Sequence, residues 1–425
     1  MSGARQASSE RAALVGLVSR RVRRADAERS LDELAGLTAA AGGMVVLRLL
    51  QERDTPDPAT FLGRGKIEML AAACEAASAG LVIFDNELTP AQLRHLEEQV
   101  GRKVLDRTQL ILDIFARRAR THEGKWQVEL AQLRYLLPRL VGARTALSRL
   151  GGGIGTRGPG ETKLETDRRR VRQRIHSLQH EIDQIRQRRR SLRGRRQKAA
   201  VPTVALVGYT NAGKTTLFNQ LTREHAEASD ALFVTLDPLV RQVKLPDRRE
   251  LLVSDTVGFI ERLPHTLVAS FRATLEEVAG ADLILHVIDA ADPERERHID
   301  AVLRVLEAVG AADVPRLDVF NKCDKIDDAE RARLLARDRA AVCMSAMLGD
   351  GRDELVDTIA SRLALDMRHV RFEFDSRSQA DRDRIARVYR HAKVLSHVAI
   401  DHRVSIEADV PRRVLDRLEV SPADA

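Results

Sequence analysis

Apolar residues fall along this chain in three rhythms, and the points where the rhythm changes mark its organisation. From residue 11 to about 115, short apolar runs alternate with longer amphipathic stretches. Ala13-Leu14-Val15-Gly16-Leu17-Val18, Met44 to Leu50 and Leu81-Val82-Ile83-Phe84 read as buried strands. Leu31 to Ala41, Lys66 to Ser78 and Pro90 to Val100 read as helices, and Arg53 to Pro58 as a polar break. The last helix carries its own start signal, Thr89 as N-cap followed by a proline in the first turn. This alternation predicts a small α/β domain over 11–115 behind a polar, disordered tail over 1–10.

The rhythm then lengthens. Trp126, Leu130, Leu133, Leu137 and Leu140 recur at steps of four and three, and Pro138 is expected to kink or end their helix. Past a glycine-rich break over 151–160 the spacing resumes at Val171, Ile175, Leu178, Ile182, Ile185 and Leu192. Two such seams predict an antiparallel helical hairpin over 116–199. From Pro202 short buried runs return, at Val204 to Val207, Leu251 to Val253, Leu283 to Ile288 and Leu317 to Phe320, with helical stretches between most of them. That is the pattern of a parallel sheet covered on both faces, over 200–365. A short α+β appendix follows over 366–425, with a strand at Val370 to Phe374, a helix at Gln379 to Ala392 and further strand at Val398 to Ile406. The fold class expected is therefore multidomain α/β.

Composition changes this picture in two places. Aromatic residues are only 3% of the chain, which argues against base stacking as the main mode of nucleic-acid contact. A net charge of +8 and a pI near 9.7 favour a polyanionic partner. The three cysteines, Cys74, Cys323 and Cys343, are far apart in the chain and fit no zinc or disulfide framework, which suits a reducing cytoplasm. No stretch approaches 18 apolar residues and the first residues lack a signal core, so no membrane span is expected.

The chemistry lies in the third region. Gly208-Tyr209-Thr210-Asn211-Ala212-Gly213-Lys214-Thr215 fits G-x-x-x-x-G-K-[ST], between a buried strand and a helix that begins with Thr216. Its glycines let backbone N–H groups face phosphates, Lys214 brings a point charge to the β- and γ-phosphates, and the Thr215 hydroxyl suits Mg²⁺. Asp255-Thr256-Val257-Gly258 follows the next buried run. Its carboxylate can hold the Mg²⁺ shell through water, and the Gly258 N–H can sense a γ-phosphate. Asn321-Lys322-Cys323-Asp324 ends another strand. A buried Asp324 can accept from guanine N1–H and N2–H₂, which adenine does not offer, and such sites can discriminate by roughly 10⁴-fold. The Lys322 stem would cover one face of the base, and backbone N–H groups of Ser345-Ala346-Met347 can meet guanine O6. Between these, Phe233-Val234-Thr235-Leu236-Asp237 is expected to form a mobile loop whose Thr235 closes on Mg²⁺ and the γ-phosphate. The set predicts a site for GTP and GDP that hydrolyses GTP, with Lys214, Thr235 and Gly258 closest to the reaction.

Phe259 follows Gly258 where related switch GTPases often keep a glutamine to orient the attacking water. A phenyl ring cannot do so, and intrinsic hydrolysis is expected to be slow and to wait for a partner. Asn211 has two readings: it completes a K⁺ site beside the phosphates, or it only stabilises the loop. Gly153-Ile154-Gly155-Thr156-Arg157-Gly158 satisfies the dinucleotide pattern G-x-G-x-x-G, but it follows a helix rather than a strand and reads as a hairpin tip. Behind it, twelve arginines lie between Arg168 and Arg196 with few acids to offset them, which favours contact with an RNA backbone. Arg157, Arg168, Arg169 and Arg170 are the expected RNA-binding residues.

Several segments together resemble the HflX family of bacterial GTPases. They are Phe61-Leu62-Gly63-Arg64-Gly65-Lys66, Leu88-Thr89-Pro90-Ala91-Gln92, Asp106-Arg107-Thr108-Gln109-Leu110-Ile111-Leu112-Asp113-Ile114-Phe115, Glu129-Leu130-Ala131-Gln132-Leu133, Gly155-Thr156-Arg157-Gly158-Pro159-Gly160-Glu161-Thr162 and the phosphate loop itself. The resemblance covers roughly residues 10 to 365. It implies binding to the large (50S) ribosomal subunit and its rRNA, with the hairpin tip approaching the peptidyl-transferase region. It also implies splitting of stalled ribosomes under stress and hydrolysis stimulated by the ribosome. Thr215 stands where the family more often has serine, and Leu239-Val240 where it often has two threonines. The expected partners include neither DNA nor a second copy of the chain, and the expected place is the cytoplasm, with peripheral membrane attachment as an alternative. Two rival readings stay open: a GTP-gated regulator of another protein complex, and an ATP-driven RNA-remodelling enzyme.

Overall fold

In the computed structural model the described residues are 10–20, 22–141, 159–199, 201–223, 232–233, 239–245, 250–261, 277–364, 367–411 and 415. The tail over 1–9 and the glycine-rich stretch up to residue 158 lie outside them. The chain divides into two compact units, one built on residues up to Ile185 together with the short stretch around Phe233, the other on the remainder.

The first unit opens on a four-stranded parallel sheet. Its strands are β1 (Glu10–Val18), β2 (Gly43–Glu52), β3 (Leu81–Phe84) and β4 (Lys103–Asp106), in the order β2-β1-β3-β4. Helix α1 (Arg24–Ala40) starts before the expected Leu31, because only Leu31, Leu34 and Leu37 carry its apolar stripe while its first turn is polar. Helices α2 (Arg64–Ala76) and α3 (Pro90–Val100) cover one face and bury Ile67, Leu70, Cys74, Leu96 and Val100 against Ala13, Val15, Val82 and Phe84. At the start of α3 the Thr89 hydroxyl accepts from Gln92 N, and the Gln92 side chain accepts from Thr89 N, a complete capping box. Strand β4 and helix α4 (Arg107–Arg118) complete the unit's sheet and were not expected from the apolar pattern.

Helix α5 runs from His122 to Val141 and passes through Pro138 rather than ending there. Proline removes one N–H, but beyond it Arg139 holds the last turn: its guanidinium donates to Tyr135 O at 2.9 Å, lies over the Tyr135 ring and reaches Asp106. Helix α6 (Pro159–Ala199) begins with a proline at its first position, so Pro159 and Gly160 belong to the helix and not to the expected tip. The two helices meet through Leu130, Leu178 and Ile182, flanked by Trp126, Leu133 and Ile175, as their spacing predicts. A two-pronged Arg174–Glu129 pair at 2.7 and 2.8 Å joins them beside this seam.

The second unit holds a six-stranded sheet of β5 (Thr203–Gly208), β6 (Leu239–Lys244), β7 (Glu250–Asp255), β8 (Leu283–Asp289), β9 (Arg316–Asn321) and β10 (Val342–Cys343). The order is β10-β9-β8-β5-β7-β6. The central strands are parallel and nearly wholly apolar, because helices cover both faces. The edge strand β6 departs from the expected parallel pattern: it runs antiparallel to β7. Helices α7 (Lys214–Thr222), α8 (Arg295–Ala308), α9 (Asp328–Arg337) and α10 (Arg352–Ala364) complete this layer, and Leu206, Leu217, Phe218, Leu285 and Val319 are among its core.

The C-terminal region is an antiparallel sheet in the order β11-β13-β12, made of β11 (Met367–Asp375), β12 (Lys393–Ile400) and β13 (Arg403–Pro411), with α11 (Gln379–His391) packed on it through Val388. The single strand expected over Val398 to Ile406 is in fact a hairpin that turns at Asp401-His402. Asp401 takes φ +54° there, a turn made without glycine or proline and so invisible to punctuation in the sequence.

Candidate nucleotide site

At the end of β5 the chain turns sharply and enters α7. Gly213, just before that helix, sits at φ +92°, and a Cβ on it would lie 2.1 Å from Asn321 Nδ2. Only glycine allows both the left-handed backbone and the close approach. The loop therefore delivers its N–H groups and the α7 N-terminus to one point, an arrangement suited to phosphate.

Lys214 is buried, and its Nζ donates to Tyr209 O at 2.8 Å. Burial lowers its pKa from 10.5 to about 8, partly offset by the nearby Asp255 carboxylate. An ammonium so poorly solvated gains by meeting an anion. Asp255, at the end of β7, accepts from the Thr215 hydroxyl at 2.8 Å. These two oxygens, from separate elements, could hold a magnesium ion, which takes most of its shell from phosphate and water. Thr256 anchors the segment by donating to Leu206 O at 2.6 Å. Gly258 then passes the phosphate loop so closely that a Cβ would lie 2.9 Å from Thr210 Cγ2 and 3.1 Å from Lys214 Nζ.

Asn321 ties the far side together. Its Nδ2 donates to Ala212 O and its Oδ1 accepts from Ala346 N, both at 2.8 Å. The expected Ala346 N–H toward guanine O6 is thus already given to Asn321. Ser345 is buried, and its hydroxyl accepts from Leu348 N at 3.2 Å, while Met347 stands 80% exposed. Lys322 adopts φ +62° and its Nζ pairs with Asp289 Oδ2 at 2.7 Å, which fixes the stem expected to cover a base. Asp324 is exposed rather than buried, because it is the middle residue of the short 3₁₀ turn Cys323–Lys325 at the surface. Cys323 and Cys343, far apart in sequence, are neighbours here; the Cys343 side chain and burial push the Cys323 thiol up, so it stays protonated.

Four separately predicted segments thus converge through direct bonds: the phosphate loop, Asp255 to Gly258, Asn321 to Asp324, and Ser345 to Met347. Of the fifth, Phe233 is buried at φ +58° with its ring edge-on to Phe115, centroids 4.8 Å apart. Val234, Thr235, Leu236 and Asp237 lie outside the described residues, as does Arg157.

Phe259 is 2% exposed, and its backbone is stitched to the phosphate loop, Thr210 N donating to Phe259 O at 2.7 Å and Phe259 N to Gly208 O at 3.1 Å. Its side chain is folded into the core and offers nothing to a water molecule. Sequence reasoning missed Asp289 as the partner of Lys322. It also missed Glu261, whose N–H donates to Tyr209 Oη at 2.9 Å, and the arginine that holds its carboxylate, Arg297. No motif marks these three.

On α6 the arginines divide. The Arg168 side chain is only 20% exposed and faces Glu165, whereas Arg170 is 75% exposed, and Arg169 and Arg172 are also exposed. No helix among the described residues is long and apolar enough to cross a membrane.

Three family models match the chain in series: "GTP-binding GTPase N-terminal" over residues 28–116, "GTP-binding GTPase Middle Region" over 118–196 and "50S ribosome-binding GTPase" over 203–322. A curated relative from Caldanaerobacter subterraneus, named GTPase HflX, is 44% identical over 409 residues, covering 96% of this chain and 93% of its own length. The Escherichia coli protein of the same name is 49% identical over 338 residues, 79% of each chain. Among solved structures, a GTP-binding protein from Sulfolobus solfataricus in complex with GDP covers 83% of this chain and 98% of its own, at 24% identity and a TM-score of 0.44.

Proposed function

Because the chain belongs to the HflX family of GTPases, we propose that it uses GTP binding and hydrolysis to act on the large ribosomal subunit, splitting stalled ribosomes under stress, with hydrolysis stimulated by the particle. The observation that carries this reading is Phe259. The position that would present a water-orienting side chain is buried and stitched to the phosphate loop. In this reading the phosphate loop would bind the nucleotide, while one catalytic part is left for a partner to supply or to reposition.

The proposed partner contact is the hairpin of α5 and α6, within a working division of 11–115, 116–199, 200–365 and 366–425. Arg169, Arg170 and Arg172 offer guanidinium groups to an RNA backbone, and Arg157 would extend that surface. Lys214 and the loop N–H groups would stabilise charge on the transferring phosphoryl group. Thr215, Thr235 and Asp255 would hold Mg²⁺, which supplies charge neutralisation between the phosphates. Asp324 would read guanine from its exposed position. Asn211, exposed at φ +60°, would complete a K⁺ site. Equal rates in KCl and NaCl would remove that last element alone.

The direct test is the GTPase rate with and without purified 50S subunits. Acceleration by an order of magnitude or more is expected, and an unchanged rate would sink the proposal. A second measurement probes the contact. Ribosome affinity should fall steeply with salt, and replacing Arg169 and Arg170 by alanine should lower the log–log slope by about 0.7–0.9 per residue, with Arg168→Ala doing less.

A further inference from the structure

The segment after Asp255 carries the N–H expected to sense the γ-phosphate, so whatever fixes that segment governs the response to GTP. Beyond its two backbone bonds to the phosphate loop, it receives a side-chain tie from the loop itself. Tyr209 Oη accepts the Glu261 N–H at 2.9 Å. Tyr209 is in turn immobilised from α8: the His298 ring stacks on it with centroids 3.8 Å apart and planes 11° from parallel. His298 is held by Asp292, Nδ1 to Oδ2 at 3.0 Å, and Asp292 is fixed by the Glu294 N–H at 2.8 Å. The same helix also holds the side chain of that residue, since Arg297 takes the Glu261 carboxylate in a fork, Nη2 to Oε2 at 2.9 Å.

We infer that Tyr209 is a positioning residue for GTP hydrolysis: its phenol oxygen, clamped by His298, holds Gly258 to Glu261 in the geometry that receives the γ-phosphate. The tyrosine occupies one of the variable positions of the phosphate-loop pattern, where the phosphate contact itself asks for no particular side chain. Here it lines a small polar pocket of about 60 Å³ together with His286, Asp289, Asp292 and His298. A preorganised segment does not need to be ordered when GTP arrives, and that saving appears only in states that contact the γ-phosphate. GDP, which lacks that group, should not register it.

The inference rests on the GTPase assignment and not on the ribosome, so the test uses the full-length chain without ribosomes. Tyr209→Phe keeps the ring and its stack on His298 but removes the acceptor, leaving the Glu261 N–H without it. Expected is a fall of about tenfold in basal kcat and in affinity for a non-hydrolysable GTP analogue, with GDP affinity unchanged within about twofold. Arg297→Gln, which loosens the Glu261 side chain at the same point of the segment, should reproduce the split more weakly. Unchanged kcat and analogue affinity in Tyr209→Phe would overturn the inference. So would an equal loss for GDP and GTP analogue, which would reduce the stack to support for the loop. Thermal melting of both variants separates either result from misfolding.

Discussion

Two sheets in this molecule, one parallel throughout and one parallel but for its edge strand, bring polar residues to the carboxyl ends of their strands, and one of them makes a nucleotide site. In the N-terminal sheet, Asp85 follows β3 and Asp106 ends β4. Both carboxylates are consumed on the spot. Asp85 accepts from Ser30 Oγ at 2.7 Å and from Arg107 Nη1 at 2.8 Å, and Arg107 also pairs with Glu33. Asp106 caps α4 through Gln109 N at 2.9 Å, accepts from Leu88 N at 3.2 Å and receives Arg139 from α5 at 3.1 Å. Strand β4 runs into α4 with no intervening glycine. In the GTPase sheet, β5 is separated from α7 by the loop ending in Gly213, and Lys214, which opens α7, donates to Tyr209 O and lies near Asp255. The same topological rule offers a crevice in both cases. A crevice closed by arginine–carboxylate pairs becomes a joint, while one lined by backbone N–H groups and an under-solvated lysine becomes a receptor.

The contrast can be broken from either side. The largest effect is expected at the joint. Asp106→Asn leaves Arg139 against a neutral partner in a buried setting and should destabilise the N-terminal unit by about 3–5 kcal/mol in urea unfolding, with GDP affinity unchanged. If nucleotide affinity fell in step with stability, the two sheets would not be doing separate jobs. At the receptor, Lys214→Met should lower kcat on the order of 10²–10³-fold. Without nucleotide the same variant should melt higher than the parent. A lysine held at about 8 rather than 10.5 costs the fold on the order of 3 kcal/mol below pH 8. A lower melting temperature would mean that the charge is compensated within the unliganded fold.

The smallest effect is a pH dependence, and its sign follows from the direction of the shift. Lys214 has its pKa depressed to about 8, so its ammonium is fully present below that pH and is lost as pH rises through it. Phosphate favours the ammonium, so nucleotide binding should take up a proton above pH 8. Affinity should then weaken by up to about tenfold per pH unit between pH 8 and 10. Titration with a fluorescent GDP across that range checks it, and a flat profile would place the charge elsewhere.

These two sheets were not equally legible in the sequence. The buried strands of the GTPase sheet are near-continuous apolar runs, and its site residues sit in motifs whose spacing is dictated by phosphate, metal and base. Strand β4 escaped notice because Lys103-Val104-Leu105-Asp106 has only two apolar residues between two charged ones. Strand β6 was not among the expected strands, because Leu239-Val240-Arg241-Gln242-Val243-Lys244 is broken by polar residues, as an exposed edge allows. Pro138 misled because the stabilisation that carries α5 past it comes from Asp106, distant in sequence. Asp324 is exposed because the turn that presents it lies at the surface, a matter of the loop's path rather than of residue type. The stack of Tyr209 on His298 joins two segments that share no pattern at all.

Asn321 and Gly213 also constrain each other over time. The Asn321 amide occupies the space that any side chain at position 213 would need, and it uses that place to bind both Ala212 and Ala346. A substitution at 213 would have to evict Asn321 before it could be tolerated. A substitution at 321 would release two backbone groups while leaving a left-handed turn that still calls for glycine. Neither position has a neutral first step, so the two are inherited as one character, and with them the bond that makes the phosphate end and the base end of the site a single body.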